Sequence, residues 1–302
     1  MVISSFSKHR RRNTIHEGRL STLFDIFNTL LMIIICLSIL LPFWMLLVQS
    51  LDSANRTMGT VRIWPENFTL KFYGKVVSSR FIWIGYGNTL FSVIVGCALA
   101  LFLTSMGAFA ISKKYFPHRT FWTFYMLITM FFGGGLIPTY LWYSRLGFVD
   151  NRLEYILPSS IGIYNLVMIR NYIYTIPAEM EESARLDGAS DFQTYIYIIL
   201  PMSKPILATV ALWIIVYKWN AWFDCLVYMR TTNKQVLQVV LRRIINEGSN
   251  EMLEGASVQD MALSPDMLKA ASIYVSTLPV LIVYPFIQKY FVKGIYVGSL
   301  KG

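Results

Sequence analysis

Long apolar stretches alternate with shorter polar ones along most of this chain. A helix needs about 20 predominantly apolar residues to cross a bilayer. Stretches of about that length recur near residues 24–48, 88–112, 121–143, 155–175, 205–228 and 271–292. The pattern predicts an all-α integral membrane protein with six transmembrane helices. Residues 24–302 are expected to form one such domain, with a core at about 88–292, preceded by a basic tail at 1–23.

The polar segment 177–201 lies between two of the apolar stretches. It reads PAEMEESARLDGASDFQTYIYIILP and carries five acids: Glu179, Glu181, Glu182, Asp187 and Asp191. Pro177 suits the first turn of a helix, and Gly188 can end that helix in a left-handed conformation. Ser190 or Asp191 can cap the next helix. We therefore predict two short helices joined by a sharp turn on one side of the membrane, and call residues 177–201 the coupling segment.

One face of the first predicted helix carries Met180, Ala184 and Gly188, which fall four residues apart. Residues at this spacing are neighbours on a helix surface. The face is mostly small, and we predict that it is able to dock against a neighbouring surface.

The residue order in the coupling segment resembles the EAA loop of bacterial ABC importer permeases. The matching positions are Glu182, Ser183, Ala184, Gly188, Ile198, Leu200 and Pro201. In that family the loop is a coupling helix seated in a cleft of a separate ATPase subunit. The resemblance implies that Glu182 pairs with a basic group on the ATPase, that Gly188 allows the turn, and that Leu200 and Pro201 join the loop to the fifth span. Asp187 belongs to the same candidate coupling set, and Ser183 replaces the family's commoner alanine.

Composition and charge agree with a membrane protein rather than with a nucleic-acid-binding one. The 302 residues are 55% hydrophobic and 15% charged, and the formal net charge is +10. No nucleic-acid-binding motif is present, so the excess of Lys and Arg is interpreted as flanking the membrane. Basic residues concentrate immediately before the first span, which predicts that both termini and the coupling segment are cytoplasmic.

The third apolar stretch contains Gly133, Gly134, Gly135 and Pro138. Glycine and proline both weaken a helix, because glycine costs ordering entropy and proline removes a hydrogen bond. Close packing of helices is one interpretation of this run, and a hinge or a wall of the transport pathway is the other. The surrounding sequence FFGGGLIPTYLW, residues 131–142, also resembles permeases of complex-carbohydrate importers.

The fifth apolar stretch holds an unusual group of polar and aromatic side chains: Tyr217, Lys218, Trp219, Asn220, Trp222 and Asp224. A lysine near the bilayer centre costs about 2.5–3.5 kcal/mol on insertion scales, so it is a functional candidate. Asn220 and Asp224 are predicted to lie one helical turn apart on one face. The group either lines a sugar pathway or lies at the interface, with Lys218 and Asp224 reaching toward water. A further hypothesis is that Lys218 favours acidic saccharides.

Two later regions carry expectations that rest on the resemblance to the second permease of the maltose importer. In the outer loop 229–270, the sequence VLQVVLRRII predicts one short amphipathic helix. This loop either reaches into the sugar-binding protein or forms a solvated linker. The C-terminal sequence QKYFVKGIYVGSLKG, residues 288–302, either inserts between two ATPase subunits or anchors the chain at the membrane.

Several kinds of catalytic motif are absent from the sequence. There is no G-x-x-x-x-G-K-[ST] sequence for holding ATP phosphates. The three histidines, His9, His16 and His118, lie outside the spans without zinc-ligand spacing. The chain is therefore expected not to be an enzyme and to hold no metal or other cofactor, with ATP and Mg on a partner ATPase.

The resemblance implies a permease of a bacterial plasma-membrane sugar importer that works by alternating access. Its expected partners are a second permease, two ATPase subunits, an extracytoplasmic solute-binding protein, the sugar and the lipid bilayer, with no nucleic acid. An importer for amino acids, peptides or phosphate is an alternative, and a membrane-embedded transferase is another.

Overall fold

The computed structural model describes residues 19–53, 63–247 and 266–282, and these parts of the chain are predominantly α-helical. The helices are α1 Arg19–Ser50, α2 Lys71–Ser78, α3 Arg80–Ser112, α4 Arg119–Phe131, α5 Leu136–Arg145, α6 Ile163–Ile173, α7 Ala178–Leu186, α8 Asp191–Met202, α9 Lys204–Asn220, α10 Phe223–Tyr228, α11 Leu237–Glu247 and α12 at 266–282. Short 3₁₀ turns lie at Arg152–Tyr155 and Thr232–Lys234. Within the described residues, extended pairing is limited to one isolated bridge between Asp52 and Phe68.

Helix α3 is the element on which most of the others pack. Its 33 residues span about 50 Å at 1.5 Å per residue. One apolar core joins it to α6 and α9 through buried side chains such as Ala108, Ile169 and Val210. A second core joins it to α2, α11 and α12. The two halves of α3 therefore have different neighbours.

The short amphipathic helix expected from VLQVVLRRII is confirmed as α11, and it packs against α3. Leu237, Val240 and Ile244 turn into the core on one side of the helix. At its start, the side-chain amide of Asn88 donates to the carbonyl of Gln235 at 2.8 Å, and the Leu237 amide donates to the Thr89 hydroxyl at 3.0 Å. Residues 237–247 are thus a packed helix rather than a solvated linker, while the loop at 248–265 lies outside the described residues.

The close approach of α11 to α3 depends on Gly85. A Cβ at this position would lie 3.0 Å from Leu237 Cα and 3.2 Å from its amide nitrogen, whereas a Cβ at Gly87 would have nothing within 4 Å. We expect Gly85→Ala to lower stability by about 1–3 kcal/mol, because a backbone neighbour must move. Gly87→Ala, in the same helix, should be neutral or raise stability by up to about 1 kcal/mol. Thermal unfolding of both variants in detergent checks the prediction, and equal midpoints would contradict it.

The count of six spans is not confirmed among the described residues, and several helix boundaries differ from the predicted ones. Two helical stretches, Ser21–Ser50 and Arg80–Ser112, are long and apolar enough to cross a membrane alone. Two further spans are possible if each of two bent helix pairs counts as one. The predicted span at 155–175 is wrong as a single helix, because α6 covers only 11 residues and follows a 3₁₀ turn. The predicted span at 271–292 is described only as far as residue 282.

The third apolar stretch is broken where the glycines occur. Helices α4 and α5 are bent by 113° relative to each other. Gly135 has a φ of +81°, which a β-carbon would disfavour, and Pro138 lies in the first turn of α5. A Cβ at Gly133 would meet nothing within 4 Å. Close packing among the described residues therefore does not explain the glycine run, and its role as a hinge or pathway wall stays a prediction.

Candidate functional site

The coupling segment forms the two short helices and the sharp turn that its sequence predicts. Helix α7 begins directly after Pro177, one residue later than expected, and Gly188 adopts a φ of +81° after the helix ends. Ser190 caps α8 with a reciprocal pair of bonds: its hydroxyl accepts from the Gln193 amide at 3.3 Å, and the Gln193 side chain accepts from the Ser190 amide at 2.8 Å. Local chemistry alone therefore specifies this turn.

The exposed face of α7 is not the face that carries the small residue Ala184. Ala184 is only 7% exposed and turns into the chain, so Met180, Ala184 and Gly188 do not form one accessible surface. Glu182, Ser183 and Asp187 are exposed, and Leu186 is 89% exposed. Large apolar side chains also stand out on α7 and α8, at Met180, Phe192 and Tyr197. The accessible surface is thus a mixture of acids and large apolar groups.

Two of the five acids fix the coupling segment to the residues just after α3. The Lys113 ammonium pairs with the Glu181 carboxylate. The Tyr115 hydroxyl donates to Asp191 Oδ1 at 2.7 Å, and the Arg185 guanidinium lies 4.5 Å from the centre of the Tyr115 ring. Burial, together with the hydrogen bond to Asp191, raises the pKa of Tyr115 to about 12, so its hydroxyl remains a donor at neutral pH. The end of α3 and the coupling segment are therefore held together.

Glu182 differs from Glu181 in having an exposed side chain that forms no ion pair among the residues that the structure describes. Leu200 and Pro201 lie at the other end of the segment, in the last turn of α8. Helix α9 starts after Ser203, and the two helices are bent by 80°. The segment thus leads into α9 through a sharp corner, which the sequence did not predict.

The polar group of the fifth apolar stretch is divided by a break in the helix. Helix α9 ends at Asn220, Ala221 is extended, and α10 begins at Phe223. Asn220 and Asp224 therefore do not lie one turn apart on a continuous helix, and that prediction is wrong. Instead, Tyr217, Lys218 and Asp224 line one cavity, and Trp219, Asn220 and Trp222 line another. The break itself carries no proline or glycine, so the sequence pattern gave no sign of it.

The first cavity, which we call the lysine cavity, has a volume of about 210 Å³. Its polar and aromatic lining includes Thr139, Tyr143, Glu154, Ser159, Tyr217, Lys218 and Asp224. Lys218 is only 3% exposed, so it does not reach toward water. Its ammonium donates to the Tyr155 carbonyl at 2.7 Å and to the Ser159 hydroxyl at 2.8 Å. A Cβ at Gly96 would lie 2.7 Å from Lys218 Cε, so α3 accommodates this side chain only because it has a glycine there.

Glu154 is a candidate that the sequence reasoning missed. It is 5% exposed and lines the lysine cavity, and its Oε2 has no hydrogen-bond partner among the described atoms. Buried carboxylate oxygens are rarely left in this state without a reason. The sequence shows Glu154 only as one acid directly before the apolar stretch at 155–175. An acid at the end of an ordinary transmembrane helix gives the same pattern, so the pattern alone does not identify Glu154 as a site residue.

The second cavity, which we call the arginine groove, has a volume of about 470 Å³ and lies among α9, α11 and α12. The residues that line it come from three parts of the chain: Trp219, Asn220 and Trp222; then Gln238, Leu241, Arg242 and Ile245 of α11; and finally Ile273, Ser276, Thr277 and Val280 of α12. The Arg242 guanidinium lies 4.2 Å from the centre of the Trp222 ring. Arg242 is exposed, and its proximity to Trp222 could not be read from their positions 20 residues apart.

Comparisons with known proteins identify what this arrangement resembles. Residues 114–296 match the family described as "Binding-protein-dependent transport system inner membrane component". Protein LplC of Bacillus subtilis is 35% identical over 291 residues, which cover 96% of this chain and 99% of LplC. The polygalacturonan/rhamnogalacturonan transport system permease protein YtcP of the same organism is 34% identical, covering 93% of this chain and 99% of YtcP.

A solved structure shows the same fold. One chain in the crystal structure of a bacterial ABC transporter, involved in the import of the acidic polysaccharide alginate, superposes with a TM-score of 0.85. The two sequences are 35% identical, and the match covers 91% of this chain and 98% of that one.

Proposed function

We propose a transport function for this chain from one premise: it belongs to the family of binding-protein-dependent transport system inner membrane components. It has the type I importer permease fold, and its relatives are permeases of carbohydrate ABC transporters. The chain is accordingly a membrane component of an ABC importer for sugars or polysaccharides. The observation that carries this conclusion is similarity along nearly the whole chain, both in sequence and in three-dimensional structure.

The cargo that we propose is an oligosaccharide or polysaccharide fragment. YtcP is described as a permease for polygalacturonan and rhamnogalacturonan, and AraQ of Bacillus subtilis, 26% identical, as one for arabinooligosaccharides. Sugars suit the two cavities, because aromatic rings can stack on the C–H faces of a sugar while amides and carboxylates bind its hydroxyls. Tyr217, Lys218, Trp219, Asn220, Trp222 and Asp224 remain our proposed lining of the substrate pathway.

The mechanism that we propose is alternating access driven by ATP hydrolysis on partner subunits. The chain itself catalyses no reaction. A second permease, two ATPase subunits holding ATP and Mg, and an extracytoplasmic binding protein would complete the importer. Closure of the ATPases would move the coupling segment, and the spans would reorient around the pathway. The orientation that we propose places both termini and the coupling segment in the cytoplasm.

Glu182 is the residue that we propose as the contact to the ATPase. Its carboxylate is exposed and, in the described part of the chain, unpaired, so it is available to a basic group on another protein. Leu186 beside it, with the exposed Met180 and Phe192 of the same segment, would meet an apolar surface of the same partner, since grouped exposed apolar side chains mark interaction sites. Glu181 serves a different purpose, because it is already paired with Lys113.

The test is ATP hydrolysis by the reconstituted four-subunit complex, with and without binding protein loaded with candidate saccharides. Stimulation by one loaded binding protein, reduced severalfold by Glu182→Gln, supports the proposal. Glu179→Gln is the matched control, since Glu179 is also an exposed acid of α7. Stimulation by amino acids, peptides or phosphate, and by no saccharide, would overturn the sugar assignment and leave the importer assignment standing.

A further inference from the structure

The two cavities beside the break at Ala221 differ sharply in charge. The lysine cavity is lined by two carboxylates, Glu154 and Asp224, and by the single ammonium of Lys218. That ammonium is already bound to Tyr155 and Ser159. The arginine groove has one charged residue in its lining, Arg242, and no acid among the described residues that line it. The second cavity is therefore the one that offers an anionic ligand a positive charge that is not already bound to the chain.

Arg242 is prepared to bind an anion by its contact with Trp222. The guanidinium lies over the indole ring at 4.2 Å, a contact that uses its flat face and leaves its N–H groups free. In the part of the chain that the structure describes, these N–H groups form no hydrogen bond or ion pair. The planar guanidinium can donate two parallel hydrogen bonds to the two oxygens of a carboxylate. Such paired hydrogen bonds between charged groups are stronger than hydrogen bonds between neutral groups.

The remaining surface of the groove suits the rest of a sugar ring. Trp219 and Trp222 offer aromatic surface, and Asn220 and Gln238 offer amides. The Asn220 side chain uses one N–H on the Val216 carbonyl at 2.8 Å, which leaves its oxygen as an acceptor for a hydroxyl. The volume of about 470 Å³ falls within the range of about 300–1,000 Å³ that small-molecule sites occupy.

We propose that the arginine groove binds an acidic saccharide, with Arg242 holding the carboxylate of a uronate and the amides of Asn220 and Gln238 binding its hydroxyls. This inference rests on the proposed function and names the class of sugar. It also moves the recognition of negative charge from Lys218, the earlier hypothesis, to Arg242. Lys218 is engaged within the chain beside two carboxylates, whereas Arg242 faces an accessible groove.

The probe is trigalacturonate, compared with its methyl ester, which has the same ring hydroxyls and no charge. Binding of each is titrated against the reconstituted complex without its binding protein, so that the selectivity of that protein does not enter. We expect Arg242→Gln to weaken trigalacturonate binding at least tenfold and to leave binding of the ester unchanged. Arg242→Lys should restore only part of the affinity, because an ammonium lacks the planar fork.

Arg243→Gln is the matched control, since it removes the same charge one residue away and Arg243 does not line the groove. The proposal is overturned if Arg242→Gln binds trigalacturonate like the unaltered complex, or if it loses acid and ester equally. If neutral saccharides stimulate ATP hydrolysis while the complex prefers the ester, the proposed function stands and this inference fails. If no saccharide of either kind binds or stimulates, both fail.

Discussion

Gly188→Val is expected to reduce ATP-driven uptake at least tenfold while ATP hydrolysis continues. Gly188 has a φ of +81°, and a Cβ at this position would meet nothing within 4 Å. The effect must therefore come from the backbone, because the left-handed conformation costs a residue with a β-carbon about 1–2 kcal/mol and a β-branched residue more. Valine would relax the turn, shift α7 against α8, and separate the contact at Glu182 from the corner at Pro201.

The measurement is uptake into vesicles together with ATP hydrolysis by the same preparation. Gly188→Asn is the control, because asparagine tolerates the left-handed conformation at helix ends. Asparagine should retain most of the uptake, although its side chain is about as large as that of valine. If both variants keep the uptake rate of the unaltered protein, the conformation of this turn does not matter. If both lose uptake equally, bulk at the partner surface is responsible instead.

Lys218→Met is expected to destabilise the folded chain by about 3 kcal/mol or more. The buried ammonium interacts electrostatically with Glu154 and Asp224, and it also holds the Tyr155 carbonyl and the Ser159 hydroxyl. Methionine fills similar space but leaves two carboxylates around a cavity that has no positive charge. Removing one charge from such a group costs about 3–5 kcal/mol, because the remaining charges stay buried.

The double variant Lys218→Met/Glu154→Gln separates this cause from simple loss of packing. It removes one carboxylate together with the ammonium, so we expect it to recover at least half of the lost stability. Unfolding midpoints of the single and double variants in detergent provide the comparison. Additive losses in the double variant would contradict the electrostatic explanation, and an unchanged midpoint in Lys218→Met would show that the ammonium is dispensable.

Features set by neighbouring residues could be predicted from the sequence. The turn at Gly188, the cap at Ser190 and the amphipathic helix from Leu237 depend on side chains within a few positions, and all three are as expected. In each case the physical cause lies inside one short segment, so no knowledge of the fold is needed. The glycines before Pro138 indicate a weakened helix, but the sequence leaves open whether they serve close packing or a break.

Features set by distant contacts could not be predicted in this way. Lys218 is buried because Gly96 of α3 makes room for it and the Tyr155 carbonyl accepts a hydrogen bond from its ammonium. Ala184 faces inward because the coupling segment is fixed to the end of α3 through Lys113. Each outcome depends on residues roughly 60 to 120 positions away, which periodicity does not reveal. The functional roles of the predicted site residues stay predictions.

The length of α3 has a consequence for how such a protein can diversify. Gly85, against which α11 packs, and Lys113, which holds the coupling segment, are separated by about 42 Å along one helix at 1.5 Å per residue. A substitution beside Arg242 therefore has no direct contact with the surface around Glu182. A change in the proposed sugar groove can therefore leave the proposed ATPase-facing surface unaltered. The proposed cargo specificity and the proposed energy coupling depend on opposite ends of one helix.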